Sequence, residues 1–116
     1  MTVETTLVSA LGGLLGGRIF PDTAPYGTAR PYATFQQVGG RVVEFLEGGA
    51  AVKRNARVQI NLWADSRQQA NELMRQVEDV LQASPHYAQP IGALIARYDD
   101  TAALRGAQQD FSLWWT

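Results

Sequence analysis

The spacing of polar and apolar residues changes period abruptly at Asp65. Before it, Val58, Ile60, Leu62 and Ala64 alternate with Gln59, Asn61 and Trp63, the two-residue period of a half-buried β-strand. After it, Ala70, Leu73, Met74, Val77, Val80 and Leu81 recur at helical spacing and define one apolar helix face. The stretch Asn55–Leu81 therefore predicts a strand, a short Asp65-Ser66 junction and a helix over about 66–83. Asp65 or Ser66 is the expected N-cap, with Gln68 or Gln69 completing a capping box, and Ser84-Pro85 ends the helix.

The remaining elements follow from weaker periodicities. Val3, Leu7, Val8, Leu11, Leu14 and Leu15 predict a first helix capped by Thr2 or Thr5. Gly12 and Gly13 weaken it, and it should stop near Leu15 and Gly16. Pro21, Pro25, Gly27 and Pro31 forbid regular helix and predict an extended loop. Tyr32–Val38 reads as a strand, Gly39-Gly40 as a hairpin turn and Arg41–Leu46 as its partner strand. Residues Glu47–Asn55 are expected in a loop or a long hairpin tip. Gly92–Tyr98 and Gln108–Trp115 complete the strands, with Asp99, Asp100 and Gly106 between them. The order is α-β-β-β-α-β-β, an α+β fold with a mostly antiparallel or mixed sheet and helices packed against it.

Composition narrows the function classes. The 116 residues are expected to form a single domain, 1–116, large enough to bury a core without staples. There is no cysteine, which removes disulfides, thiol nucleophiles and thiolate metal sites. The N-terminal residues lack the pattern of a signal peptide, and Leu7–Leu15 is too short and too glycine-broken to cross a membrane. A formal net charge of −1 gives no global attraction to nucleic acid or anionic lipid. Nine arginines against the single Lys53 suit a contact-making surface, and equally a GC-rich genome.

Candidate chemistry is sparse. His86 is the only histidine, beside Pro85 in an expected loop, so neither a zinc site nor a Ser-His-Asp triad can be assembled around a second one. The glycines of 12–17 lie at a helix end and are followed by Arg18-Ile19, which is a helix stop and not a phosphate loop. Adjacent Asp99 and Asp100 do not converge as acid–base partners do. Arg41, Lys53, Arg54 and Arg57 cluster along the middle hairpin, but Glu44 and Glu47 offset them and no aromatics are interleaved. No catalytic, cofactor-binding or metal residue is assigned.

Tryptophan supplies the anomaly. Trp63 lies on the polar side of its strand, and Trp114 shares its side of the last strand with Asp110 and Ser112, opposite Phe111, Leu113 and Trp115. Two arrangements are open: the first helix covers that sheet face and both tryptophans are core, or they emerge at a subunit interface, where tryptophan is enriched.

With these elements in place the chain resembles the tail-completion, or tail-terminator, proteins of long-tailed bacteriophages and prophages. The resemblance is carried by the Leu-rich first helix ending in Gly16–Phe20 and by Pro31-Tyr32. It continues through Ala56–Ala64, the Ala70, Leu73, Val77, Leu81 helix and the closing Asp110–Trp114. It implies a structural, non-enzymatic protein of the virion tail, in the host cytoplasm during assembly, with no cofactor. It further implies a ring of identical subunits, expected to be hexameric, that terminates the tail tube and helps join tail to head. The implied partners are the chain itself, the major tail tube protein and head-completion or connector proteins, with no membrane and no sequence-specific nucleic acid. On that reading Trp63, Trp114, Asn61 and Gln59 are candidate subunit-interface residues, and Arg41, Lys53 and Arg54 a candidate lumen or docking loop.

Two other classes stand beside it. A small-ligand or regulatory module on a ferredoxin-like sheet predicts a monomer or dimer with a closed apolar pocket. A small enzyme using Asp99, Asp100 or His86 predicts activity lost on His86→Ala or Asp100→Asn.

Overall fold

The computed structural model describes residues 2–42 and 54–115. Its elements are α1 (Val3–Leu15), β1 (Ile19–Pro21), β2 (Tyr32–Gln37), β3 (Arg54–Ala64), α2 (Arg67–Gln82), β4 (Gln89–Asp99) and β5 (Leu104–Trp115). The order is the expected α-β-β-β-α-β-β. The first strand is the short β1, however, which is too brief to show a period. Arg41 and Val42 lie outside any strand, and the rest of the expected Arg41–Leu46 strand falls outside the described residues.

Both helices begin where side-chain oxygens are available for their first free N–H groups. The Thr2 hydroxyl accepts from the Thr5 N–H, and the Thr5 hydroxyl accepts from the Thr2 N–H in return. Ser66 caps α2 by accepting from the Gln69 N–H at 3.1 Å. The α1 helix runs through Gly12 and Gly13 and stops at Gly16, whose φ of 59° is the left-handed C-cap geometry that glycine adopts without strain. Val3, Leu7, Leu11 and Leu15 are its buried stripe, while Val8 points away from the core and is exposed. On α2, Ala70, Met74, Val77 and Leu81 are buried and Leu73 and Val80 pack beside them.

Among the described residues the strands form one five-stranded sheet in the order β1-β2-β3-β5-β4. Only β1 and β2 pair in parallel; the other neighbours are antiparallel. Because β3 and β4 both run against β5, the β3-α2-β4 segment is a crossover between parallel strands, and β5 returns to fill the gap. The block β2-β3-β5-β4 thus has the strand order and directions of a ferredoxin-like sheet, with one helix-strand pair moved to the front of the chain. Both helices pack on the same sheet face. The core there joins the α1 and α2 stripes to Ala33 and Phe35 of β2, Ala56, Val58, Ile60 and Leu62 of β3, and Ala107, Phe111 and Leu113 of β5.

Gly39-Gly40 is not a two-residue turn. The β2–β3 pairing continues through it, with the Val38 N–H donating to Arg57 O at 2.7 Å and the Arg57 N–H donating to Gly39 O at 2.8 Å. Gly40 needs its missing side chain, since a Cβ there would lie 2.5 Å from Asn55 O. The β4–β5 hairpin also extends further than periodicity indicated. It includes Asp99 in β4 and Gly106 in β5, and turns through residues 100–103. Between Ile91 and Ile95 the register shifts, so Gly92, Ala93 and Leu94 face the single residue Gln109.

Candidate assembly surface

Among the described residues nothing covers the sheet face opposite the helices, and its side chains stand in rows across four strands. The first row is Tyr32, Trp63, Gly106 and Arg97; the next is Thr34, Asn61, Gln108 and Ile95; then Gln36, Gln59, Asp110 and Ile91. Arg57, Ser112 and Gln89 follow beside Val38, and Asn55 and Trp114 close the series. The middle rows are largely neutral amides and a hydroxyl. Asp110 accepts from Arg57 Nε at 2.8 Å, and Gln108 accepts from Arg97 Nη1 at 2.8 Å. This face is polar and hydrogen-bonding at its centre, with aromatics at its two ends.

The two tryptophans share the face but occupy opposite ends of it. Trp63 pairs across the ladder with Gly106, and Trp114 with Asn55. Gly106 and Trp114 are eight positions apart along β5, about 27 Å at the ordinary strand rise. Trp63 is half-buried because its ring lies flat on Gly106, where a Cβ would come within 2.7 Å of it. Trp114 is 39% exposed. Neither is covered by α1, so the arrangement in which the first helix buries both tryptophans is not the one observed. They emerge on one face as separate features, not as a single aromatic patch.

Trp114 lies in a cleft of about 630 Å³, bounded on one side by Val38–Arg41 and on the other by Gln89, Pro90 and Ile91. Asn55 organises it. Its Oδ1 accepts from the Arg41 N–H at 2.9 Å, while its Nδ2 donates to Ser112 Oγ at 2.9 Å and Leu113 O at 3.0 Å. These bonds satisfy a side chain that is only 9% exposed, and they fix the chain as it leaves β2. The cleft is open and half polar, unlike the closed apolar pocket that a small-ligand module requires.

The other sequence candidates are dispersed. Gln59 and Asn61 sit mid-face and are hydrogen-bonded to one another. Arg41 and Arg54 are exposed near the Trp114 end, and Arg54 and Asn55 belong to β3 and not to a loop. Lys53, Glu44 and Glu47 lie outside the described residues. His86 is in the turn after α2, Asp99 accepts from the Ala102 N–H, and Asp100 accepts from the Tyr98 hydroxyl. His86 and the two aspartates fall at opposite ends of β4, the aspartates at the hairpin end. Among the described residues no group of His, Asp and Glu could hold a metal ion. Among the described residues no helix is long and apolar enough to cross a membrane.

Three working side chains carried no local signal. Gln109 is buried and its Nε2 donates to Gly92 O at 2.7 Å, taking up a carbonyl that the β4 bulge frees. Arg67, the first residue of α2, donates to Arg97 O, Gly106 O and Asn71 Oδ1, tying the helix start to the hairpin. Arg30 joins Asp65 Oδ1 at 3.1 Å to Ala102 O at 2.7 Å, linking the proline-rich loop to the hairpin turn. Apart from Asn71, one helical turn on from Arg67, these partners are distant in sequence, so spacing rules could not have found them.

A small α+β subunit with one packed face and one bare polar face is suited to making contacts with other proteins. Comparison with family models places it further: the model described as "Tail completion protein gp17" matches residues 6–115. The chain belongs to this tail-completion family, and its role is a structural one in a phage tail, among other tail and head proteins. A search of curated proteins finds no match.

Proposed function

We propose that the protein assembles as a ring, six copies around, on the head-proximal end of the tail tube, where it terminates the polymerised tube and presents a docking surface to the head. Its partners are then further copies of itself, the major tail tube protein and the head-completion or connector proteins. The observation that carries this reading, beside family membership, is the uncovered sheet face with Trp63 and Trp114 at its ends. Tryptophan is enriched among the residues that dominate protein–protein contacts. Trp63, Trp114, Asn61 and Gln59 are the residues of that face assigned to contacts, and Arg41, Lys53 and Arg54 the docking or lumen segment beside it.

Sedimentation of the protein mixed with tail tube protein tests the reading. Co-sedimentation with tubes at a small, saturating stoichiometry is the expected result. Protein that stays in the supernatant at every concentration, and monomeric by mass, contradicts it.

A further inference from the structure

We infer that copies contact one another through the Tyr26 turn of one protomer seated in the β4 bulge hollow of the next; this inference rests on the assembly reading above. Tyr26 is the most exposed large hydrophobic side chain among the described residues, with its whole surface open. Its backbone is nevertheless held in place. The Thr28 N–H and hydroxyl both donate to Pro25 O, at 3.2 and 2.6 Å. Gly27, at a φ of 82°, supplies the left-handed third position of a type II turn. The loop is tied on both sides of that turn. The Asp22 N–H donates to Phe35 O, Arg18 Nε donates to Pro31 O at 2.9 Å, and Arg30 reaches Asp65 and Ala102 O. An aromatic ring presented on a preordered turn loses little freedom on docking, and tyrosine is among the residues that dominate contact energy.

The Tyr26 loop joins β1 to β2, and the hollow belongs to β4, the strand at the other edge of the sheet. It has a volume of about 610 Å³, between Arg75 and Glu78 of α2 and Pro90, Gly92, Ala93 and Leu94 of β4. Gln109 holds it open: its Nε2 donates to Gly92 O at 2.7 Å and keeps the bulge out of ladder register. The lining matches a phenol. Pro90, Ala93 and Leu94 offer carbon to the ring. Arg75 and Glu78 form no ion pair among the described residues, so one can donate to the hydroxyl and the other accept from it. Residues 23–29 of the turn carry no charge for either to oppose. Tyr26 is wholly exposed, so it does not occupy the hollow of its own copy. Turn and hollow are separate surfaces, and the contact repeats head to tail, the kind that closes into a ring when the rotation between copies allows it.

Photocrosslinking reads the contact without presupposing the partner. The photoreactive residue p-benzoyl-phenylalanine, introduced in place of Tyr26, keeps an aromatic ring on the turn. Assembled with tail tube protein and irradiated, this variant should join copy to copy, with mass spectrometry placing the adduct within residues 75–94. Assembled particles with adducts on tube protein, with adducts on the second copy's surface around Val8, or with none, overturn the contact and leave the ring reading intact. Failure of the unaltered chain to assemble overturns both. Substitutions at exposed positions supply a second readout. Tyr26→Ala and Ala93→Trp, each folding with an unchanged urea midpoint, should lower assembly at least tenfold, while Tyr26→Phe should retain most of it. Assembly at the parent level by folded Tyr26→Ala counts against the contact.

Discussion

Trp63 illustrates how one residue's role depends on the atom missing from another. Glycine at position 106 leaves the ladder without a side chain, and the indole ring fills that place. Aromatic cover of this kind stabilises a strand glycine that would otherwise weaken the sheet. Gly106→Ala should displace the ring and cost about 1–3 kcal/mol, read as a lower urea midpoint together with a red-shifted tryptophan emission. Gln109 plays the converse part, a buried polar group kept in the core by the carbonyls of a bulge. Gln109→Leu keeps the volume and removes the donor, so a loss of roughly 1–3 kcal/mol is expected from equilibrium unfolding. A stability equal to that of the parent would show that the bulge carbonyls find water instead. Neither residue announced itself in the sequence, because glycine in a strand and glutamine in an alternating run are each unremarkable until their cross-strand neighbours are known.

At the scale of elements, the segments with a sustained period were legible and the short or bent ones were not. β3 and α2 came out with their faces correct because eleven and sixteen residues of consistent patterning outweigh local exceptions. The side-to-side parity of β5 was equally plain from Phe111, Leu113 and Trp115. β1 has only three residues and pairs through the backbone, which no side-chain pattern can reveal. Gly39-Gly40 carried a turn signal, yet the glycines serve a close approach to β3. β4 lost its periodicity to the bulge at residues 92–94 and to its position as an edge strand. The hairpin it forms with β5 depends on Arg67 for its attachment to α2. Arg67→Ala should therefore accelerate amide hydrogen exchange over residues 95–106 while leaving β2 and β3 protected. Uniform acceleration across the sheet would show that Arg67 supports the whole fold and not the hairpin alone.

For the molecule as a whole, the division of the sheet into a packed face and a bare one is what separates folding from assembly. The core lies entirely between the helices and one side of the sheet. Substitutions on the other side should spare stability wherever the side chain is exposed. Trp114→Ala is expected to shift Tm by no more than a few degrees and to impair assembly severely. Trp63→Ala should lower stability as well, since that ring is half-buried on Gly106. A cooperative unfolding transition lost in Trp114→Ala would make that residue part of the core and remove it from the contact surface. The sequence could place both tryptophans on one face, but their separation at opposite ends required the cross-strand register.

Electron microscopy of purified protein mixed with polymerised tail tube protein addresses the central claim most directly. The account predicts a six-fold ring at one end of each tube and an arrest of further tube growth. Bare tube ends, with the protein remaining monomeric beside them at all concentrations, would contradict it.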